Sequence, residues 1–361
     1  MDKNFNTLAE KLLCPPGSGV FTVNTAKERK NLLQKKIYGN ENVETSWKKS
    51  LSTNQSNVCI LGIPSDCGGG ILRGANWGPL FVRNELIELN DYPYLDLGDV
   101  RVIPHLLHDK YLNQVTINKC RKSLYNEEND LPVSPLSITE KLCETFHKEF
   151  PNKKLFSIGG DHSVSYPLVK EFLKAKKTQG KRVGLIHFDA HTDLLKERLG
   201  IDICFGSWTA NILDYLTDPK DCIQIGIRSS GKDRGHWENV FNLQQYWNYE
   251  VKEHGPDNIS QKIISYLNSN SIDELYISFD IDALDEEFAS ATGTPEEEGL
   301  APHECIQIIE SLALKFKITG ADLVEVAPFI KDMNNSRPRS QEITLSSAAL
   351  IANSILNCME N

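Results

Sequence analysis

Acidic residues, and in one case a histidine, occupy every second position of two short stretches of the sequence. This pattern is suited to binding metal ions. DAHTD begins at Asp189 and ends at Asp193, and DID begins at Asp280 and ends at Asp282. An extended chain points alternate side chains to the same side, so Asp189, His191 and Asp193 would face one way. The two aspartates of DID would share a side for the same reason. Each stretch follows an apolar run, as expected where a buried strand ends in polar groups.

A third stretch, GGDHS at 159–163, also follows an apolar run and adds His162 to the set. Four carboxylates placed close together repel one another strongly unless divalent cations neutralise them. Carboxylate and imidazole ligands without thiolate suit manganese, or less commonly iron, cobalt or zinc. Six ligands fit two ions that lie roughly 3.5 to 4 Å apart and share a water. Because such a water ionises near neutral pH and becomes nucleophilic, the pattern predicts metal-assisted hydrolysis.

Short apolar runs alternate along the chain with segments of helical periodicity. Seven such runs begin at Asn57, Tyr94, Lys154, Arg182, Cys222, Glu274 and Ile318. A further candidate strand, VFNL from Val240, would bring the number of strands to eight. The alternation predicts an α/β fold with a mostly parallel sheet and helices on both faces. Ligands bind outside the carboxyl ends of the strands in such sheets, which is where the three polar stretches lie.

Composition argues against several classes of protein. With 361 residues, of which 40% are hydrophobic and 24% charged, the chain can bury a substantial core. No stretch has the roughly 18 consecutive apolar residues of a membrane span, and the start lacks a signal-peptide apolar run, so we expect a soluble cytoplasmic protein. The nine cysteines are scattered and never spaced as CxxC, which disfavours a disulfide framework and a zinc knuckle. A net charge of -10 argues against a nucleic-acid partner.

The first part of the chain differs from the rest. Residues 1–55 are polar and mixed, and the regular alternation of apolar runs and helical segments starts after them. We therefore predict an N-terminal extension over 1–55 and one catalytic domain over 56–361.

At the polar stretches the sequence resembles a known enzyme family. GGDHS at 159–163, DAHTD at 189–193 and SFDIDALD at 278–285 resemble the three signatures of the ureohydrolases, which include arginase, agmatinase and formimidoylglutamase. The flanking segments agree: ILGIPSDCGGGILRGANWGPLFVR resembles the first strand and loop of the family, ATGTP at 291–295 a later loop, and LVEVAP at 323–328 a late glutamate motif. The likeness runs from about Asn57 to the C-terminus.

This resemblance implies a fold, a cofactor and roles for particular residues. The implied fold has three layers, α/β/α, around an eight-stranded mostly parallel sheet, and the implied assembly is a homotrimer or homohexamer. Two manganese ions per subunit would be bound by His162, Asp189, His191, Asp193, Asp280 and Asp282. Asp189 and Asp280 would bridge the two ions. Glu325 would serve catalysis by pairing with the guanidinium or amidinium of the substrate, since a carboxylate can accept two N–H groups at once.

One position departs from the family pattern. Arginases and agmatinases carry a His-Gly pair after DAHTD, whose histidine relays protons to the leaving group, and here Phe205-Gly206 stands there. A phenylalanine cannot relay a proton. The loop also lacks a clear asparagine and serine to read an amino-acid head group, so both the arginase and the agmatinase assignments are weakened.

Three other residues could contribute to the site, and each has two interpretations. His187 lies two residues before Asp189 and either points into the site or is a buried strand histidine. His236 follows the IGIR strand and either reaches the same edge of the sheet or lies on the surface. Arg228 ends that strand and either meets an acidic substrate group or forms a structural ion pair.

Hydrolysis of a C–N bond in a small guanidino compound, with release of urea, is the function that the resemblance favours. Formimidoylglutamase activity, which releases formamide, is the alternative within the family and fits the missing His-Gly pair. A deacetylase on a related fold would use one metal, so the complete six-ligand set argues against it. A catalytically silent regulatory paralogue is the alternative from another class, but it would be expected to lack ligands, and none is missing. We expect neither nucleic acid nor a membrane as partner.

Overall fold

One sheet forms the centre of the structure. The computed structural model describes residues 3–19, 25–53, 55–89, 92–126, 129–330 and 341–361. The strands in these residues are β1 (Leu13–Cys14), β2 (Val58–Gly62), β3 (Leu95–Val100), β4 (Lys154–Ile158), β5 (Val183–Phe188), β6 (Cys222–Ile225), β7 (Gln244–Tyr246), β8 (Glu274–Asp280) and β9 (Lys317–Val324). Their order is β1-β3-β2-β4-β9-β8-β5-β6-β7. Strand β1 pairs antiparallel with β3, and the other pairings are parallel.

Helices cover both faces of this sheet. They are α1 (Lys3–Leu12), α2 (Lys27–Tyr38), α3 (Val43–Thr53), α4 (Gly78–Leu89), α5 (Gln114–Tyr125), α6 (Pro135–Glu149), α7 (Ser165–Thr178), α8 (Trp208–Ile212), α9 (Arg234–Phe241), α10 (Asn248–His254), α11 (Pro256–Ser269), α12 (Pro302–Ala313) and α13 (Gln341–Glu360). In β5, Ile186 and Phe188 belong to the hydrophobic core that includes side chains of α4, α11, α12 and α13, whereas Val183 and Leu185 belong to the core that includes side chains of α1, α6 and α7. The predicted α/β/α layering with a mostly parallel sheet is confirmed, with nine strands in the described residues instead of the predicted eight.

The prediction of a strand over VFNL is wrong. Val240 and Phe241 are the last residues of α9, and the strand of this region, β7, begins only at Gln244. Asp233 starts the helix by accepting a hydrogen bond from the backbone N–H of His236 at 2.8 Å. Asn242 ends it in a left-handed conformation with φ 55°. These local caps decide the structure of a run too short for its periodicity to distinguish helix from strand.

The residues before β2 pack against the edge of the sheet. Strand β1 pairs with β3 at Leu13 and Cys14. Trp47 of α3 is fully buried and donates from Nε1 to the carbonyl of Leu97 in β3 at 3.0 Å. Gly19 donates its backbone N–H to Asp99 Oδ2 at 3.1 Å. The described part of the chain contains no helix that is both long and apolar enough to cross a membrane.

A buried ion cluster joins α4 to the same edge strand. Arg83 is fully buried and contacts Asp96 Oδ2 at 2.9 Å and Asp99 Oδ1 at 2.5 Å. Burial lowers the pKa of Arg83, but Asp96 and Asp99 outweigh it and raise that pKa. Removing one member of such a cluster leaves the others buried and unpaired, which costs more than the pair gains by forming.

We expect Arg83→Met to lower the free energy of unfolding by about 3 to 5 kcal/mol, because two buried carboxylates lose their cation. Urea denaturation followed by circular dichroism measures this. The matched control is Arg29→Met, whose guanidinium lies 3.6 Å from Glu85 with side chains 42% and 34% exposed. Its loss should cost less than about 1 kcal/mol. Equal effects of the two substitutions would contradict a stabilising role for the buried cluster.

Candidate metal centre

The three polar stretches meet at the carboxyl ends of neighbouring strands. GGDHS follows β4, DAHTD follows β5 and DID closes β8, while β9 lies between β4 and β8 in the sheet. Short 3-10 turns, His162–Val164 and Ile281–Ala283, hold two of the predicted ligands just beyond their strands. Parallel strands bring these ends to one edge, so residues far apart in the sequence become neighbours.

One group of predicted ligands surrounds the His162 ring. Its Nδ1 atom lies 3.3 Å from Asp189 Oδ2, 3.3 Å from Asp193 Oδ2 and 3.0 Å from Asp280 Oδ2. All four side chains are at most 5% exposed. A second group surrounds His191, whose Nδ1 lies 3.4 Å from Asp189 Oδ1 and 3.1 Å from Asp282 Oδ2.

Asp189 connects the two groups. Its Oδ2 atom faces His162 and its Oδ1 atom faces His191, as a carboxylate that bridges two ions would. Asp280 Oδ2 faces His162, and its Oδ1 atom accepts the backbone N–H of Asp282 at 2.9 Å. The structure thus brings together all six residues that the resemblance singled out as ligands.

The orientation of His162 leaves one nitrogen for a cation. Ser278 Oγ donates to Asp322 Oδ1 at 2.8 Å and lies 3.0 Å from His162 Nε2. The hydroxyl proton is therefore used, and Nε2 must donate to Ser278. Nδ1 is buried and makes no hydrogen bond to any described residue, although three carboxylates face it. The lone pair on Nδ1 and the three carboxylates are together suited to bind a divalent cation. No described residue supplies a positive charge or a hydrogen-bond donor to this nitrogen.

Electrostatics also favour a bound cation. Burial and then the neighbouring charge of Asp189 raise the pKa of Asp193, and burial and then Asp282 raise the pKa of Asp280. Burial lowers the pKa of His162, but Asp189 and Asp193 outweigh it and raise the pKa to about 9. Without a cation the cluster therefore retains protons. Divalent ions would displace these protons and supply the missing positive charge.

His187 orients Asp189, the carboxylate predicted to bridge the two ions. Gln224 Nε2 lies 2.6 Å from the carbonyl oxygen of Thr192 and 3.0 Å from His187 Nδ1. A carbonyl oxygen only accepts, so this amide nitrogen donates, and His187 Nδ1 must be an acceptor too. Burial lowers the pKa of His187, so the neutral ring carries its proton on Nε2 and donates it to Asp189 Oδ2 at 2.8 Å. His187 is thus both a buried strand histidine and a partner of the metal cluster.

Glu325 lies at the end of β9 with one oxygen free. It is 6% exposed, and its Oε1 atom accepts the backbone N–H of His162 at 2.9 Å. Oε2 accepts no hydrogen bond from the described residues and faces Gly293, where an added Cβ would come within 3.4 Å. Burial and then Asp280 raise the pKa of Glu325. A buried carboxylate with one unused oxygen beside the cluster can receive a cationic group.

Two of these residues have unusual backbone conformations. Asp193 has φ 51° and Glu325 has φ 63°, in the left-handed region that residues other than glycine rarely adopt. Each costs of order 1 kcal/mol and persists only because surrounding contacts hold it. Such strain is typical of positions whose side-chain direction matters.

Comparison with known proteins places the chain in a family. A model of the Arginase family matches residues 56–357. This chain belongs to the arginase family. It is a hydrolase that acts on C–N bonds of guanidino compounds.

Several relatives cover most of its length. The chain is 30% identical over 292 residues to human mitochondrial guanidino acid hydrolase, covering 75% of this chain and 72% of that protein. It is 31% identical over 286 residues to mitochondrial agmatinase of Gallus gallus, covering 78% and 76%. The crystal structure of a hypothetical agmatinase from Burkholderia thailandensis matches with a TM-score of 0.63 at 27% identity, covering 85% and 87%.

In this arginase-family protein, Arg228 and His236 lie outside the candidate chemistry. Arg228 is half-buried and forms no ion pair with a carboxylate of the described residues. It donates to six backbone carbonyls, those of Gly226, Asp282, Ala283, Leu284, Glu296 and Glu297. The predicted ion pair is therefore wrong, because the loop after β8 offers carbonyls instead. His236 is exposed on α9, as its surface interpretation predicts.

Sequence analysis missed several residues that hold the predicted ligands. Trp208 donates from Nε1 to Asp193 Oδ2 at 2.8 Å, and its ring centroid lies 4.7 Å from that of His162. Thr294 donates to Asp282 Oδ2 at 2.9 Å. Glu296 places Oε1 3.4 Å from His191 Nε2, the nitrogen on the side away from the cluster. The ATGTP segment at 291–295 contains Thr294 and directly precedes Glu296, whereas nothing in the local sequence indicated Trp208 or Gln224.

We expect Gln224→Glu to weaken the binding of divalent cations by about 10- to 100-fold, the usual cost of losing an outer partner of a ligand. The new carboxylate cannot donate to His187 Nδ1, so the ring proton is no longer held toward Asp189. Manganese affinity, measured by competition with a chromogenic chelator, checks this. Thr209→Ala is the control, since it removes only a 3.4 Å contact to the same nitrogen. An unchanged affinity in folded Gln224→Glu protein would show that the ring proton has no such role.

Proposed function

We propose that the protein hydrolyses a small guanidino compound to urea and an amine, using two manganese ions. The observation that carries this proposal is the His162 Nδ1 atom, buried without a hydrogen bond among three carboxylates. We assign His162, Asp189, Asp193 and Asp280 to one side of the site and His191 and Asp282 to the other. Asp189 and Asp280 would be shared between the ions.

Other residues of the chain would bind the substrate and orient the metal ligands. Glu325 Oε2 is placed to pair with the planar guanidinium, which fixes the central carbon over the cluster. Two divalent cations bound below it would lower the pKa of a shared water toward neutrality and so supply the nucleophile. His187 and Trp208 hold Asp189 and Asp193, so the geometry is set before substrate arrives.

Formimidoylglutamase activity is the second candidate. The observation that favours it is Phe205, which cannot relay a proton as the histidine of arginases and agmatinases does. A structure of formimidoylglutamase from Bacillus subtilis matches with a TM-score of 0.65, but at 20% identity this likeness supports the fold alone. A silent regulatory paralogue is disfavoured because all six ligand residues are present and close together.

The relatives of this chain differ in the substrate that their names give. They include agmatinases and a guanidino acid hydrolase, so the substrate of this chain could carry either an amine or an acid group on its tail. A homotrimer or homohexamer, a cytoplasmic location and the division into an extension over 1–55 and a catalytic domain over 56–361 also stay proposals.

The first experiment is a substrate panel with manganese-loaded protein. Urea would be measured from arginine, agmatine, guanidinobutyrate, guanidinopropionate, guanidinoacetate and guanidine, and formamide from formimidoylglutamate. We expect urea from at least one guanidino compound. Formamide alone would move the protein to the formimino branch. Silence throughout, with metal confirmed bound, would favour a regulatory subunit.

We expect Asp193→Ala to lose bound manganese and hydrolytic activity together, because it removes a carboxylate from the cluster around His162. Metal content by mass spectrometry and urea release measure the two properties on the same sample. Asp214→Ala is the matched control: Asp214 is exposed, and its replacement should leave both unchanged. An Asp193→Ala protein that keeps metal and activity would overturn the ligand assignment.

A further inference from the structure

The loop after Asp193 forms a hairpin that starts at the metal cluster. Leu195 donates its backbone N–H to the carbonyl of Gly206 at 3.1 Å, which closes the base of the hairpin. Arg198 and Ile201 exchange two backbone hydrogen bonds, of 2.8 and 3.0 Å, across a two-residue turn at Leu199 and Gly200. Both turn residues have positive φ, 52° and 84°, as in the tight turns of β-hairpins. These hydrogen bonds fix the position of the hairpin backbone.

Phe205, on the returning arm, lies in the wall of the site. Its backbone N–H donates to the carbonyl of Gly68 at 3.0 Å, and the N–H of Gly68 donates to Asp161 Oδ2 at 3.1 Å. The ring lies against Gly70, where an added Cβ would be 3.4 Å from Phe205 Cζ. Two hydrogen bonds through Gly68 therefore connect the backbone of Phe205 to Asp161, the residue before His162.

Arg198 is stacked on that ring. Its guanidinium carbon lies 5.0 Å from the centre of the Phe205 ring. A guanidinium on an aromatic face is held in a fixed plane, yet its five N–H donors point outward in that plane and stay available. The Arg198 side chain makes no ion pair or hydrogen bond with the part of the chain that the structure describes. An oriented cation with unused donors is suited to an anion.

Several charged side chains of the loops around the site already have partners. Lys110 pairs with Asp202 of the hairpin at 2.6 Å. Arg73, in the loop that contains Gly70, lies 3.7 Å from Asp66 Oδ1. On the opposite side, Glu296 accepts a 2.9 Å hydrogen bond from Ser229 and faces His191. The exposed Lys196 and Glu197 carry opposite charges and make no ordered contact among the described residues.

We propose that the stack of Arg198 on Phe205 selects a guanidino substrate whose tail ends in a carboxylate. The inference rests on the proposed function and names its substrate class. Phe205 then has a role other than the lost proton relay: it is the platform that positions the arginine. The planar fork of Arg198 can bind a carboxylate through two N–H groups, whereas the ammonium tail of agmatine would be repelled there.

The test compares substrates that differ only in the charge of the tail. Values of kcat/KM would be measured with manganese-loaded protein for guanidinoacetate, guanidinopropionate, guanidinobutyrate, agmatine and butylguanidine, which has no charge on its tail. We expect one of the three carboxylates to have the highest kcat/KM. In Arg198→Gln, the ratio of that kcat/KM to the value for butylguanidine should fall about tenfold or more, mainly through KM.

Three further variants separate the role of the stack from a general effect of charge. Phe205→Leu removes the platform and should lower the same ratio in the same direction, while Arg198→Lys should not restore it, since an ammonium lacks the planar fork. Lys196→Gln removes a positive charge from the same hairpin and should leave the ratio unchanged. Equal losses in Lys196→Gln and Arg198→Gln would reduce the effect to net charge and overturn the specific role of the stack.

The substrate panel distinguishes a failure of this inference from a failure of the proposed function. Urea released best from agmatine or butylguanidine, or an unchanged ratio in Arg198→Gln, would overturn the carboxylate inference and leave guanidino hydrolysis in place. No urea from any of the five compounds, with manganese bound, would overturn both the proposed function and the inference built on it.

Discussion

Mutual repulsion among four buried carboxylates is the constraint on which the rest of the site depends. Asp189, Asp193, Asp280 and Asp282 lie at one edge of the sheet, each almost inaccessible to water. Two imidazoles compensate only part of this charge, and the pKa values of Asp193 and Asp280 are raised by burial and by neighbouring acids. Divalent cations would balance the remaining negative charge, and the buried contacts around the cluster hold these groups together.

The contacts around the cluster are arranged to fix the direction of each ligand. Ser278 accepts the Nε2 proton of His162, and Gln224 determines that His187 donates to Asp189. Trp208 donates to Asp193 while its ring lies against His162. Ser278, Gln224 and Trp208 each belong to an element other than that of the histidine or aspartate that they contact. The precision of the site therefore depends on how the strands and α8 pack, and not on the polar stretches alone.

Much of the fold and of the site could be predicted because parallel sheets follow simple rules. Apolar runs indicated seven of the strands, and the polar residues after three of them indicated ligands at one edge. VFNL was misassigned, since four residues carry too little periodicity and the caps at Asp233 and Asn242 decided their helix. Arg228 could not be interpreted from its position either, because its partners are backbone carbonyls of a loop about 55 to 69 residues further along the chain.

The sequence by itself determined the types and spacing of the predicted metal ligands, the positions of seven strands along the chain and the family to which these features point. The tertiary structure alone decided which oxygen of Asp189 faces which histidine, where the protons of His162 and His187 lie, and that Arg198 stacks on Phe205. The physical reason is range. Alternation and apolar periodicity act over a few residues, whereas hydrogen-bond direction and ring stacking depend on groups that only folding brings within a few ångströms.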